Sequence, residues 1–387
     1  IGNLAKPYQK GQSAQSKRAK GRPLRGGQVG SGWPPSLPSY QGIKGAMPSY
    51  QGIKGAMPSY QGIRSRFKWA DVTPTTISIA GREYSTDITK LNLVGKGLTS
   101  LPDTIGYLVN LESLELDENK LTSLPDTIGN LVNLKRLYLT NNELTSLPDT
   151  IGNMRLMQLF LNFNKLTSLP DTIGNLVNLK ILNIHDNKLR SLPVTIGNLK
   201  NLRHFKASKN MLEELPSSIS RIFLRTMDLS YNLLKSLPEE LRADELDLSY
   251  NDLSDESLPD FLLHHKYKLD LSFNNLNTFP IFYPELGASD ELVTIDLSNN
   301  NLSTLPEVLP RKLEYLYLSD NLLKRSGIPS NLKLRLAELD LNGNNMSEED
   351  ILYFKTRFGS NAGSPAKCCP KKAMAQNTKL NTNRNPL

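Results

Sequence analysis

The chain has 387 residues, a net charge of +8 and a hydrophobic fraction of 38%, the composition of a soluble protein rather than a fibrous or membrane one. No apolar run approaches the roughly 20 residues of a membrane-spanning helix, so no transmembrane segment is expected. Charge is unevenly placed: residues 1–70 hold twelve Lys/Arg and residues 359–387 hold five, both without acid, which leaves 29 bases against 38 acids in between.

The chain starts at Ile1 rather than Met, as expected of a fragment or a processed form. Residues 1–66 are rich in Gly, Pro, Ser and Lys and carry PSYQGIKGAM at 38–47 and 48–57, then PSYQGI at 58–63. Copies without apolar periodicity do not describe a packed fold, so a disordered basic tail is predicted. Two readings of the copies stay open: duplication within a disordered segment, and a multivalent short motif around Tyr40, Tyr50 and Tyr60. For the basic tails, contact with nucleic acid or anionic lipid stands beside simple solvation. Residues 67–84 contain a strand-like TISIA and are predicted to cap the first of the repeats that begin at 85.

From 85 to 346 an asparagine recurs at 119, 142, 164, 187, 210, 232, 251, 274, 300, 321 and 344. Each sits in one frame, with apolar residues eight, five and three positions before it and one two after. Leu111, Leu114, Leu116, Asn119 and Leu121, then Leu124-Pro125 and Ile128, show it fully; an earlier unit fits with Lys96 in the asparagine slot, giving about twelve units. The alternating LxL reads as a short strand with its leucines inward. In the LPDTIGN return, Pro suits a helical first turn and Gly is expected to end it in a left-handed conformation. No unit can bury its leucines alone, so the units must stack. Spacing loosens between 232 and 300, where Phe279-Pro280-Ile281-Phe282-Tyr283-Pro284 forms an aromatic insertion. Ser347-Glu348-Glu349-Asp350 reads as a helix start, with Ile351, Leu352, Phe354 and Phe358 giving a capping helix over 347–358. Residues 359–387 form a second basic tail predicted to be disordered. It holds the only cysteines, Cys368 and Cys369, so the body has no disulfide caps and a cytoplasmic, reducing compartment is expected.

The frame LxxLxLxxNxLxxLPxxI resembles the leucine-rich-repeat family, over about two-thirds of the chain. The resemblance implies an α/β solenoid with a curved parallel sheet on its concave face and short helical or irregular returns. It also implies that the buried asparagine bonds the backbone of the adjacent coil. The LPxxIGxLxxL return is similar to the intracellular Ras-group type, seen in plant Ras-group-related proteins and in the animal scaffold joining Ras to a phosphatase. A small GTPase or a phosphatase is the partner this resemblance implies. Leu305-Pro306-Glu307-Val308-Leu309-Pro310 also leans toward secreted bacterial effectors, so the alternative is the recognition part of such an effector or ubiquitin ligase whose catalytic domain is absent here.

Catalytic patterns are missing. GxxxxGK[ST], GxGxxG, GxSxG and HExxH do not occur, and His185, His204, His264 and His265 form no zinc pattern. No enzyme activity, cofactor or metal is expected. The first two histidines are assigned to strand positions. A binding face is predicted instead, from residues that point outward around each asparagine slot: Arg136, Tyr138, Phe160, Phe163, His185, His204, Lys206, Lys209, Tyr231 and Tyr250. Exposed aromatics and bases on a rigid sheet suit a protein partner. The later Asp-Ser positions (Asp228, Asp247, Asp270, Asp296) point outward on the same face, and for them a share in binding stands beside mere solvated surface. The first units favour function, because return residues such as Thr122, Ser123 and Asn133 persist while strand residues change in every copy.

Overall fold

A computed structural model describes residues 74–259, 267–280, 292–330 and 336–358. The decapeptide copies, both basic tails, His264, His265, Phe282 and the cysteine pair lie outside them. The described chain begins with an antiparallel hairpin, β1 (Thr76–Ile79) and β2 (Arg82–Ser85). Ala80 and Gly81, both at positive φ, turn it as a two-residue hairpin loop requires. Ile77 and Ile79 are buried in the core, which covers the leucines of the first unit.

Among the described residues, twelve short strands then form one parallel sheet in strict chain order. These are β3 (Lys90–Asn92), β4 (Ser113–Glu115), β5 (Arg136–Tyr138), β6 (Gln158–Phe160), β7 (Ile181–Asn183), β8 (His204–Lys206), β9 (Leu224–Asp228), β10 (Ala243–Asp247), β11 (Lys268–Asp270), β12 (Thr294–Asp296), β13 (Tyr315–Tyr317) and β14 (Glu338–Asp340). Each strand pairs with the next at the same repeat position, so Leu114, Leu137, Leu159 and Leu182 stand side by side. All four are fully buried. Each apolar side chain contributes about 1.5–3 kcal/mol, but only because a neighbouring coil covers it.

The asparagines close the stack. Asn119 donates from Nδ2 to the carbonyls of Leu93 and Leu116, both at 2.9 Å, and its Oδ1 accepts the Leu98 N–H at 2.9 Å. The same acceptor role recurs at all eleven slots. Each amide therefore serves the coil before its own. Lys96 can fill the first slot because a hairpin, and not a repeat coil, precedes that unit.

The returns of the regular units are five-residue 3₁₀ turns such as Asp126–Asn130 and Asp171–Asn175. Two details depart from expectation. Pro125 and Pro170 sit one residue ahead of the turn, in extended conformation. The glycine after the isoleucine is not left-handed either: among the described residues positive-φ glycines occur at 81, 95, 97 and 343, and the described returns have none. A Cβ at Gly129 would lie 2.5 Å from Thr150 O, and one at Gly174 would lie 2.5 Å from Thr195 O. Close approach of the next coil, not chain reversal, explains the glycine.

The last element, α1 (Glu348–Phe358), starts with a reciprocal cap. The Ser347 hydroxyl accepts the Asp350 N–H at 3.1 Å, while the Asp350 carboxylate accepts the Ser347 hydroxyl at 2.9 Å. Phe354 and Phe358 are buried against the core.

A candidate protein-binding face

The exposed face of the sheet is built from three rows. Six and four positions before each asparagine slot lie on the strands themselves, in register from coil to coil. The third row lies one position before the slot, past the strand end. There Glu118, Asn141, Phe163, Asp186, Lys209, Tyr231, Tyr250, Phe273, Asn299 and Asp320 all have φ between 51° and 58°. Gly95 and Gly343 take the same position in the first and last units. A left-handed residue with a large side chain is uncommon. Here its twist swings the side chain onto the margin of the sheet, so Phe163, Lys209, Tyr231 and Tyr250 line an edge row and not the strands.

The structure sorts the ten predicted residues into groups. Tyr138 and Phe160, adjacent on β5 and β6, stack with centroids 5.0 Å apart and planes 4° from parallel. The Tyr138 hydroxyl donates to Gln158 Oε1 at 3.4 Å, and Arg136 Nε donates to Ser113 Oγ at 3.5 Å. Phe163, 45% exposed, meets the His185 ring edge-on at 4.7 Å. His185 lies two residues beyond β7 and not on a strand; burial pushes its pKa below the usual imidazole value. The shift favours its neutral form, which offers a ring and one N–H. His204 is on β8, its Nδ1 2.9 Å from Thr226 Oγ1. Lys206 and Lys209 are exposed beside it.

Tyr231 and Tyr250 lie on the next two coils after Lys209, apart from the Tyr138–Phe160 stack. Their rings stack at 4.0 Å, and Tyr250 stacks in turn on Phe273 at 3.9 Å, both within 10° of parallel. Phe273 was not among the predicted site residues. The left-handed turn that aligns the three rings has no residue signature, since residues of many types adopt it.

The aspartates at the second row also differ from a solvated filling. Asp228, Asp247, Asp270 and Asp296 stand on four neighbouring strands. Asp247 and Asp270 each accept a hydrogen bond from the Ser hydroxyl two residues on, at 2.7 Å. The Asp270 side chain is only 15% exposed. Burial first, and repulsion within the row second, push the pKa of Asp247 and Asp270 above the usual carboxylate value; at Asp296 burial does most of this. Lys268, 4.0 Å from Asp270, offsets part of it.

A raised folded pKa favours the folded state as pH falls and costs stability once the row is ionised. The double variant Asp247→Asn/Asp270→Asn, which keeps an oxygen for each Ser hydroxyl, should unfold at a higher temperature than wild type at pH 7. That gain should shrink as pH falls and vanish near pH 2–3, below the unfolded carboxyl pKa of about 3.9, where the wild-type carboxyls are protonated in both states. Thermal melts at the two pH values check it; an equal difference at both would count against the ionised row.

Chain order, strand spacing and the asparagine ladder fix the repeat class. Residues 88–168 match the family model described as leucine-rich repeat region, and residues 154–212 and 291–311 match models described as leucine-rich repeat. The chain folds as a leucine-rich-repeat solenoid. No curated protein matches it. Similar solved structures include a leucine-rich-repeat protein of Leptospira interrogans, 29% identical, covering 71% of this chain and 84% of that one with a TM-score of 0.52. The ectodomain of a plant membrane receptor kinase from Arabidopsis thaliana, in complex with Casparian strip integrity factor 2, is 28% identical. That likeness covers 77% of this chain but 41% of the ectodomain, with a TM-score of 0.54. An internalin of Listeria monocytogenes shares the fold at 20% identity, with 79% and 94% coverage and a TM-score of 0.52. Among the described residues no helix is long and apolar enough to cross a membrane, and no group of three metal-ligating side chains occurs.

Proposed function

We propose that this leucine-rich-repeat chain is a non-catalytic scaffold that binds a protein partner on the exposed face of its sheet, in cytoplasmic signalling. The observation that carries the reading is the Tyr138–Phe160 stack on adjacent strands, flanked by exposed Phe163. Rigid aromatics lose little side-chain freedom on binding and anchor interfaces well. Arg136, His185, His204, Lys206 and Lys209 give this patch a neutral-to-basic rim, suited to an acidic or phosphorylated partner surface. The Ras-group character of the returns supports a small GTPase or a phosphatase as that partner. The Arabidopsis ectodomain, seen in complex with another factor, supports reading the repeat array as a capture surface.

The contrast between constant returns and variable strands lends less support than the sequence suggests. Asn133 donates to Val109 O at 2.8 Å and Asn201 to Val177 O at 2.8 Å, so the persistent return residues hold coil to coil. Packing accounts for the constancy of these asparagines, while Thr122 and Ser123 are exposed.

The test is affinity capture with the full chain against the double variant Tyr138→Ala/Phe160→Ala. At least one specific partner should bind about 30-fold more weakly or disappear, the size of one hot-spot loss of about 2 kcal/mol. Unchanged binding of every partner removes this site assignment.

A further inference from the structure

A second patch of opposite chemistry occupies units seven to ten. Tyr231, Tyr250 and Phe273 form a continuous three-ring strip along the edge row, with Tyr231 39% exposed. The strands of these same units carry Asp228, Asp247 and Asp270, and Asp296 extends the row onto β12. Glu245, beside Lys268 on the neighbouring strand, adds a further acid to this face. Lys268 approaches Asp270 and offsets part of the charge of the row, and Lys206 on β8 stands beside Asp228 at its other end. The result is apolar aromatic surface bordered by half-buried carboxylates that repel one another.

That combination selects one kind of occupant. Lys and Arg side chains carry an apolar stem and a charged head, so the stem can lie on aromatic surface while the head reaches a carboxylate. Four aspartates on strands about 4.8 Å apart span about 14 Å. In an extended segment, residues i, i+2 and i+4 point to one side and span about 13 Å. We propose that the Tyr231–Tyr250–Phe273 strip docks an extended basic segment of a partner protein, alternate Lys or Arg heads lying along the aspartate row. This site is independent of the Tyr138–Phe160 patch in residues and in partner chemistry. It gives the scaffold two opposed surfaces, and the basic segment brings cations to a row of excess acid. Bound cations relieve the repulsion within the row, so the burial that costs the unbound state stability strengthens the complex.

The experiment uses the full chain and a fluorescent peptide of alternating arginine and serine, with alternating glutamate and serine as control, followed by polarisation at about 50 mM salt. The arginine peptide should bind and the glutamate peptide should not. Asp247→Asn/Asp270→Asn should weaken binding at least about tenfold, the size expected for two charge contacts. Tyr231→Asn/Phe273→Asn should weaken it about fivefold or more, through lost stem contact. Asn already fills this left-handed position at 141 and 299, so these variants should fold. Tyr138→Ala/Phe160→Ala should bind the peptide like wild type, which separates this site from the one proposed above. No binding by the full chain overturns the proposal. So does equal binding of the two peptides, or arginine-peptide binding that either double variant in the strip leaves unchanged.

Discussion

Replacing Asn187 by Ala should lower the stability of the solenoid by about 2–5 kcal/mol. Asn187 Nδ2 donates to the carbonyls of Leu161 and Ile184, both at 3.0 Å, and Oδ1 accepts the Leu166 N–H at 3.0 Å. Truncation orphans the buried Leu166 N–H, at a cost of about 1–3 kcal/mol, and takes one of two amide donors from each carbonyl, since Leu161 O keeps Asn164 and Ile184 O keeps Asn210, both at 3.0 Å; each of those lost bonds costs about 0.5–1.5 kcal/mol. Two of the three bonds, to Leu161 O and from the Leu166 N–H, join the coils of β6 and β7, so most of the loss falls on a nearest-neighbour interface. An unfolding temperature lowered by about 5–15 °C is the expected readout. Hydrogen exchange should quicken first at the Leu166 amide and then across β6 to β8. Asn187→Asp, which retains an acceptor for the Leu166 N–H but has no N–H to donate when ionised, should also destabilise. A melting temperature within about 1 °C of wild type for Asn187→Ala would mean that the ladder does not hold the coils together.

The fold was legible because one local pattern repeats. A leucine at each inward position and an asparagine at each slot leave a single way to stack, and the strands pair in chain order at equal repeat positions. The site was legible only in part. Tyr138 and Phe160 could be placed together because strand residues of equal position must adjoin. Tyr231, Tyr250 and Phe273 share the position one before the slot and so fall in one row, but their close stacking depends on a left-handed φ that this position takes with Glu, Asn, Phe, Asp, Lys and Tyr alike. For the same reason His185, placed by spacing on a strand, lies in the turn after one. The aspartate row was visible as letters but not as chemistry. Whether an outward carboxylate is solvated depends on how tightly the neighbouring coils crowd it, and spacing along one unit carries no record of that. The glycine of the return misled in the opposite way, since the residue type was right and its reason was not.

That difference in reason makes Gly174 the sharper test. If the glycine were there to reverse the chain at positive φ, asparagine would be the best substitute and alanine the worse one. In the structure Gly174 is buried, and its added Cβ would lie 2.5 Å from Thr195 O and 2.6 Å from Thr195 Cβ. Neither atom belongs to the movable end of a long side chain, so the next coil must shift to make room. Gly174→Ala should therefore cost about 1–3 kcal/mol, and Gly174→Asn more, because every atom beyond Cβ meets the same wall. Gly95 provides the converse. It has φ +64° with nothing within 4 Å of a Cβ, at a position where Asn141 and Asn299 already sit. Gly95→Asn should change stability by no more than about 0.5 kcal/mol. Denaturant midpoints for the three variants separate the two explanations. Packing requires the order Gly95→Asn, then Gly174→Ala, then Gly174→Asn from mildest to most severe, and a Gly174→Asn variant milder than Gly174→Ala would restore chain reversal as the cause.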